Sequence, residues 1–113
     1  KLSTENNEEY YLEVKGVTLE NEKFAMFPDA PTERGTKHIN ELIKAKKAGK
    51  GAGVLFLIQM KDVKSFSPNY ETDIKFSSAL KEAYKEGVDI FVYSCIVTVE
   101  EIFMYKPIKL IIN

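Results

Sequence analysis

Residues Tyr10-Tyr11-Leu12-Glu13-Val14-Lys15-Gly16-Val17-Thr18-Leu19 are rich in β-branched and aromatic types, the composition of a strand. Side chains alternate across a strand, so Tyr11, Glu13, Lys15, Val17 and Leu19 share one face and Leu12, Val14 and Thr18 the other. An acid and a lysine therefore stand side by side, about 7 Å apart along the backbone. Hydrolysis of a phosphodiester uses such a pair. A divalent ion organises the phosphate and lowers the pKa of a water, and a nearby cation steadies the charge that develops. In that chemistry Glu13 ligates the ion, the Val14 carbonyl adds an oxygen, and Lys15 orients the water or meets the phosphate. Glu-x-Lys by itself is common on solvated strands, where the two residues pair with each other.

Working outward, Asn21-Glu22-Lys23 is a polar turn and Lys23 to Phe27 a short returning strand, so the first two strands are expected to form a hairpin. Pro28 to Thr32 reads as a loop feeding a helix from about Glu33 to Ala48, with Asp29 or Thr32 as its cap. The helix carries an apolar stripe of Ile39, Leu42 and Ile43, flanked by Gly35, opposite a polar face of Arg34, Lys37, Asn40, Glu41, Lys44 and Lys47. After Gly49, Gly51 and Gly53, the continuous apolar run Val54 to Ile58 has the form of a central strand covered on both faces. Residues 61 to 72 read as a loop. Thr72 or Asp73 then caps a second helix that ends at Gly87 and buries Phe76, Ala79, Leu80 and Ala83. Ile90 to Val99 and Ile102 to Ile112 supply the last strands.

The 113 residues, 44% apolar, suffice for one core and not for two. With 29% charged residues and a net charge of −1, the chain as a whole has no strong field for a nucleic acid or an anionic membrane, so any such contact is local. The single cysteine, Cys95, excludes a disulfide framework within the chain and a thiolate zinc cluster, and points to a reducing, cytoplasmic setting. No apolar run reaches the roughly twenty residues of a membrane span, and no membrane partner is expected. The start at Lys1 suggests a fragment of a longer protein.

Tyr11-Leu12-Glu13-Val14-Lys15-Gly16-Val17-Thr18-Leu19 and Phe27-Pro28-Asp29-Ala30-Pro31-Thr32-Glu33-Arg34-Gly35-Thr36-Lys37-His38 closely resemble the sugar fermentation stimulation proteins. Val54 to Gln59 and Ser65-Phe66-Ser67-Pro68-Asn69 match the same family in order and spacing. The resemblance implies an α/β (α+β) fold of restriction-endonuclease-like, PD-(D/E)XK type, a mixed central sheet flanked by two helices, preceded in the whole protein by an OB-like domain. It implies DNA as partner and a regulatory role in sugar, notably maltose, metabolism. The same pattern places an aspartate on the strand before Glu-x-Lys. Here that strand is represented at best by Leu2 to Thr4, so the aspartate falls before Lys1, and Mg²⁺ held by one carboxylate keeps most of its water. Gly16 stands where members often have serine, and Met60 where a basic residue is common.

Three readings follow: a DNA-binding, nuclease-like regulatory domain, an active Mg²⁺- or Mn²⁺-dependent nuclease on DNA or RNA, and a non-catalytic interaction domain. Arg34, Lys37, Lys44 and Lys47 offer a basic helix face for a phosphate backbone if the N-terminal end of that helix abuts the Glu13 strand. Asp29 and Glu33, otherwise a cap and a first-turn acid, and Gln59 are candidates to line the site. His38 borders the apolar stripe and reads as a packed, hydrogen-bonded histidine. The aromatics fall on strand and helix periods and read as core. A sheet with an open edge favours pairing between chains, so a homo-oligomer is expected to be accessible.

Overall fold

The structure, a computed structural model, describes residues 2–3, 9–17, 24–28, 31–59, 63–97 and 102–112. In chain order it contains β1 (Leu2–Ser3), β2 (Glu9–Val17), β3 (Phe24–Phe27), α1 (Glu33–Lys47), β4 (Gly51–Ile58) and β5 (Ser65–Pro68). There follow α2 (Ile74–Lys85), β6 (Asp89–Val97), β7 (Ile102–Pro107) and β8 (Lys109–Leu110). A five-stranded sheet runs β1-β2-β4-β6-β7, parallel at its centre and closed by antiparallel β1 and β7. A second sheet, β3-β5-β8, is wholly parallel.

The expected hairpin is not there. β2 pairs in parallel with β4, by way of α1, while β3 joins β5 in the other sheet. Aromatic packing explains the choice. Phe27, at the end of β3, stands 5.5 Å from Phe56 and 5.2 Å from Phe76, and Phe56 stands 4.6 Å from Phe66, ring centroid to centroid. β3 brings Phe27 to that cluster from the second sheet, where it pairs with β5. The span 61–72, read as a loop, contains β5. Its serines and Pro68 signal a turn, yet Ser65, Phe66 and Pro68 are buried, and four residues are too few for a strand period to show.

The helices lie where their caps and stripes predict. The Thr32 side chain accepts from the Gly35 N–H at 2.9 Å, the last turn of α1 is basic, and Gly49 leaves it at φ 85°. Asp73 caps α2 by accepting from the Phe76 N–H at 3.0 Å, and its other oxygen accepts from the Thr32 N–H at 2.7 Å. One carboxylate thus ties the start of α2 to the residue that caps α1. Gly35 lets the helices meet there, since a Cβ at that position would stand 2.9 Å from Thr32 and 3.2 Å from Phe76. Ser77 is buried on α2, whereas Ala79, expected in the buried stripe, is half-buried.

β4 is central, as expected, and only one of its faces is fully covered. Ala52, Val54, Phe56 and Ile58 are buried beneath the helices and the second sheet. Leu55 and Leu57 on the other face are half-buried, and their neighbours Val14 and Phe91 are 51% and 40% exposed. Both helices and the second sheet cover the same side of the five strands, so the continuous apolar run of β4 reflects a covered face and a half-open one.

Phe56 joins β4 to β3 and β5, and Phe56→Ala is expected to cost about 3–5 kcal/mol in denaturant unfolding. The Phe76 and then the Thr32 N–H hold the Asp73 carboxyl below its ordinary value. A lowered folded pKa adds stability that is present above the unfolded carboxyl range, about pH 4, and is lost as pH falls through the folded value. The gap in thermal midpoint between the wild type and Asp73→Asn is therefore expected to be widest near neutral pH and to narrow toward pH 3. A gap independent of pH would remove the carboxylate charge from the cap.

Candidate metal centre between strand β2 and helix α1

The register of β2 on β4 sets Glu13 opposite Val54 and Lys15 opposite Phe56. Residues opposite one another in a sheet share a face, so the pair projects to the side covered by α1. That helix turns His38, Leu42 and Ala45, one turn apart on a single stripe, over β2. Lys15 Nζ lies 2.9 Å from His38 Nδ1 and 3.5 Å from Glu13 Oε1, and His38 Nδ1 lies 3.1 Å from the same oxygen. The Lys15 side chain is 15% exposed and that of Glu13 34%. The ammonium is thus the sheltered member and the carboxylate the one open to solvent.

Of these groups, Glu13 and His38 line a cleft of about 360 Å³ between β2 and α1, whose walls also include Tyr11, Glu41, Leu42, Lys44, Ala45 and Lys50. Lys50 Nζ is 3.3 Å from Glu9 and 5.5 Å from the centre of the Tyr11 ring, and the Tyr11 hydroxyl also donates to Glu9. Glu9, and after it Tyr11, hold the Lys50 ammonium above the ordinary lysine value, so Lys50 stays protonated with its charge balanced by Glu9. The cleft therefore combines two carboxylates, Glu13 and the exposed Glu41, with two lysines, Lys44 and Lys50.

The structure brings Glu13 and Lys44 to the walls of this cleft and sets Lys15 behind them, against Glu13 and His38. Arg34 and Lys37 are exposed on α1 and do not form its walls, because it is the C-terminal two-thirds of α1, not the N-terminal end, that lies against the Glu13 strand, and Lys47, although at that end, is exposed and does not line the cleft either. Glu33 lines a separate concavity with Asp73 and Ile74, where the two helices begin. Gln59 is exposed at the end of β4, and its N–H donates to the Val17 carbonyl at 3.1 Å. Asp29 lies outside the described residues. His38 is the member that sequence reasoning set aside as a packed histidine. Its place on the stripe of Leu42 was the available signal, but nothing in the sequence said that this stripe overlies Glu13.

The Val17 carbonyl accepts from β4, and backbone groups alternate in direction along a strand. The Val14 carbonyl accordingly points to the other edge of β2, where β1 as described pairs only with Glu9 and Tyr10. Among the described residues no three His, Cys, Asp or Glu side chains converge to hold a metal ion. Glu13 and the Val14 carbonyl thus suit part of the shell of a hydrated hard cation rather than a closed protein cage.

The chain matches the family model of the Sugar fermentation stimulation protein RE domain over residues 1–101. It is 62% identical over 112 residues to the sugar fermentation stimulation protein homolog of Clostridium tetani, with 99% of this chain and 49% of that protein covered. The homolog of Clostridium perfringens is 59% identical over 112 residues, with the same coverage. The chain spans about half the length of these relatives. Among solved structures, that of Pyrococcus furiosus SfsA in complex with Ca²⁺ is similar with a TM-score of 0.86 and 32% identity, over 97% of this chain and 48% of that one. Sequence and fold agree: the chain belongs to the sugar fermentation stimulation protein family, in the part that its family model calls the RE domain.

Proposed function

We propose that this chain is the metal-binding, nuclease-like part of a DNA-binding protein, with Glu13 as the carboxylate that holds a divalent ion beside a phosphate. The observation that carries this reading is the convergence of Glu13, Lys15 and His38 within 3.5 Å at the open cleft. The Ca²⁺ in the solved relative supports it, since Mg²⁺ and Mn²⁺ are, like Ca²⁺, hard ions that seek oxygen. When bound, such an ion polarises a phosphoryl oxygen and lowers the pKa of a water. Lys15 presents an ammonium to the charge that develops on the phosphate, and Lys44 and Lys50 attract the backbone on either side of it.

The register of β1 supports a second carboxylate from outside this chain. Ser3 faces Glu9 and Leu2 faces Tyr10, so an antiparallel strand continued backward passes Leu12 to Lys15 with residues that precede Lys1. An aspartate there would complete the acidic pair that the family resemblance implies. A regulatory role in sugar use rests on the family name.

The test uses the full-length protein with DNA and with RNA, in Mg²⁺, in Mn²⁺ and in chelator. Metal-dependent cleavage is expected, falling by about a hundredfold or more in Glu13→Ala and in Lys15→Ala. Cleavage unchanged by either substitution would overturn the assignment. DNA binding is expected to weaken with salt, and Lys44→Ala to lower the slope of log K on log salt by about one. Binding that ignores salt would remove the nucleic-acid reading.

A further inference from the structure

We propose that His38 is a positioning residue that keeps Lys15 in place when a divalent ion takes over Glu13, an inference that rests on the reading of Glu13 as a metal ligand. A lysine ammonium carries three donors and no acceptor, and one imidazole nitrogen carries either a proton or a lone pair. At 2.9 Å, Lys15 Nζ and His38 Nδ1 make a hydrogen bond if the lone pair is on Nδ1 and the ring proton on Nε2. Nδ1 and Glu13 Oε1, 3.1 Å apart, are then two acceptors side by side, which repel unless a cation lies between them. Lys15 is that cation, reaching both. With the ring proton on Nε2, the geometry is that of one ammonium shared between Nδ1 at 2.9 Å and Oε1 at 3.5 Å.

This arrangement has a consequence for metal binding. A divalent ion on Glu13 competes directly with Lys15, because both are attracted to the same carboxylate and repel each other. With no other acceptor, the ammonium would have to remain on Glu13 and weaken the ion, or swing into solvent and leave the site. His38 supplies the other acceptor. The short hydrogen bond to Nδ1 lets Lys15 yield Glu13 and still stay beside it, where an attacking water or a phosphate oxygen would sit. α1 holds the ring in position, since His38 stands between the buried Gly35 and Leu42, and Ile39 beside it is fully buried.

Asparagine places its Oδ1 as many bonds from Cβ as histidine places Nδ1, so His38→Asn keeps the acceptor and His38→Leu removes it. The full-length proteins would be titrated with Ca²⁺ by calorimetry, and the Lys15 ammonium followed by ¹H–¹⁵N NMR. The wild type and His38→Asn are expected to bind Ca²⁺ with similar affinity and to keep the Lys15 signal protected from solvent exchange at saturating Ca²⁺. His38→Leu is expected to lose about tenfold or more in Ca²⁺ affinity and to lose that protection. If His38→Leu does not fold, His38→Gln, whose amide oxygen stands one bond further out, replaces it as the variant with no acceptor at the Nδ1 position. Equal affinities in all variants, with Lys15 exchange unmoved, would overturn the role of His38 alone. A wild-type protein that binds no Ca²⁺ would overturn the reading of Glu13 and the handover with it.

Discussion

The parallel pairing of Tyr10 to Val17 with Gly51 to Ile58 is the constraint on which the rest of the molecule depends. Because side chains alternate, a slip of one residue would turn Glu13 and Lys15 to the half-open face of the sheet and bring Leu12 and Val14 beneath α1. The register is pinned at its start. Gly51 and Gly53 leave room for the Tyr10 ring, which a Cβ on either would meet, and the Tyr10 hydroxyl reaches across β4 to donate to Asp89 on β6 at 2.7 Å. Burial, together with the bonded Asp89 carboxylate, raises the Tyr10 pKa and keeps this donor protonated. Three parallel strands are thereby aligned by one side chain.

That register decides what α1 meets. The helix lies in the crossover from β2 to β4, after β3, so its inner stripe lies over the strands that the crossover joins. Gly35, Ile39, Leu42 and Ile43 bury against the core. His38, at the edge of the same stripe, comes down on Glu13 and Lys15. The chemistry of the site is therefore a by-product of ordinary βαβ packing, with polar side chains at the margin of an apolar contact. Burial is graded across it, and the lysine is the more enclosed partner. The partly buried ammonium has the Glu13 carboxylate beside it on the strand and a His38 ring nitrogen on the helix.

The second sheet and α2 have a supporting part. Phe27, Phe56, Phe66 and Phe76 form one aromatic cluster, and Asp73 locks the beginnings of the two helices. Together they keep α1 from sliding along the sheet. The opposite side of the five strands has no such cover among the described residues, and Val14, Phe91 and Met104 stand 40 to 51% exposed there. All of the site's support comes from one face.

Alternation along Tyr10 to Val17, the caps Thr32 and Asp73, the glycines that end both helices and the apolar run of β4 are local signals, and each was legible because backbone sterics and hydrogen bonding act over a few residues. They determined the α/β class, the two helices and the side-by-side placement of Glu13 and Lys15. The partner of β3, the existence of β5 and the approach of His38 were not legible. Each is decided by contacts distant in sequence: Phe27 with Phe56, Phe66 with Phe56, and a helix stripe that acquires its meaning only from the strand beneath it. A short strand takes its partner from whichever pairing buries its aromatics, and an imidazole takes its role from the charges it meets. Those choices belong to the packed chain, and they turned a pair on a strand into a cluster of three.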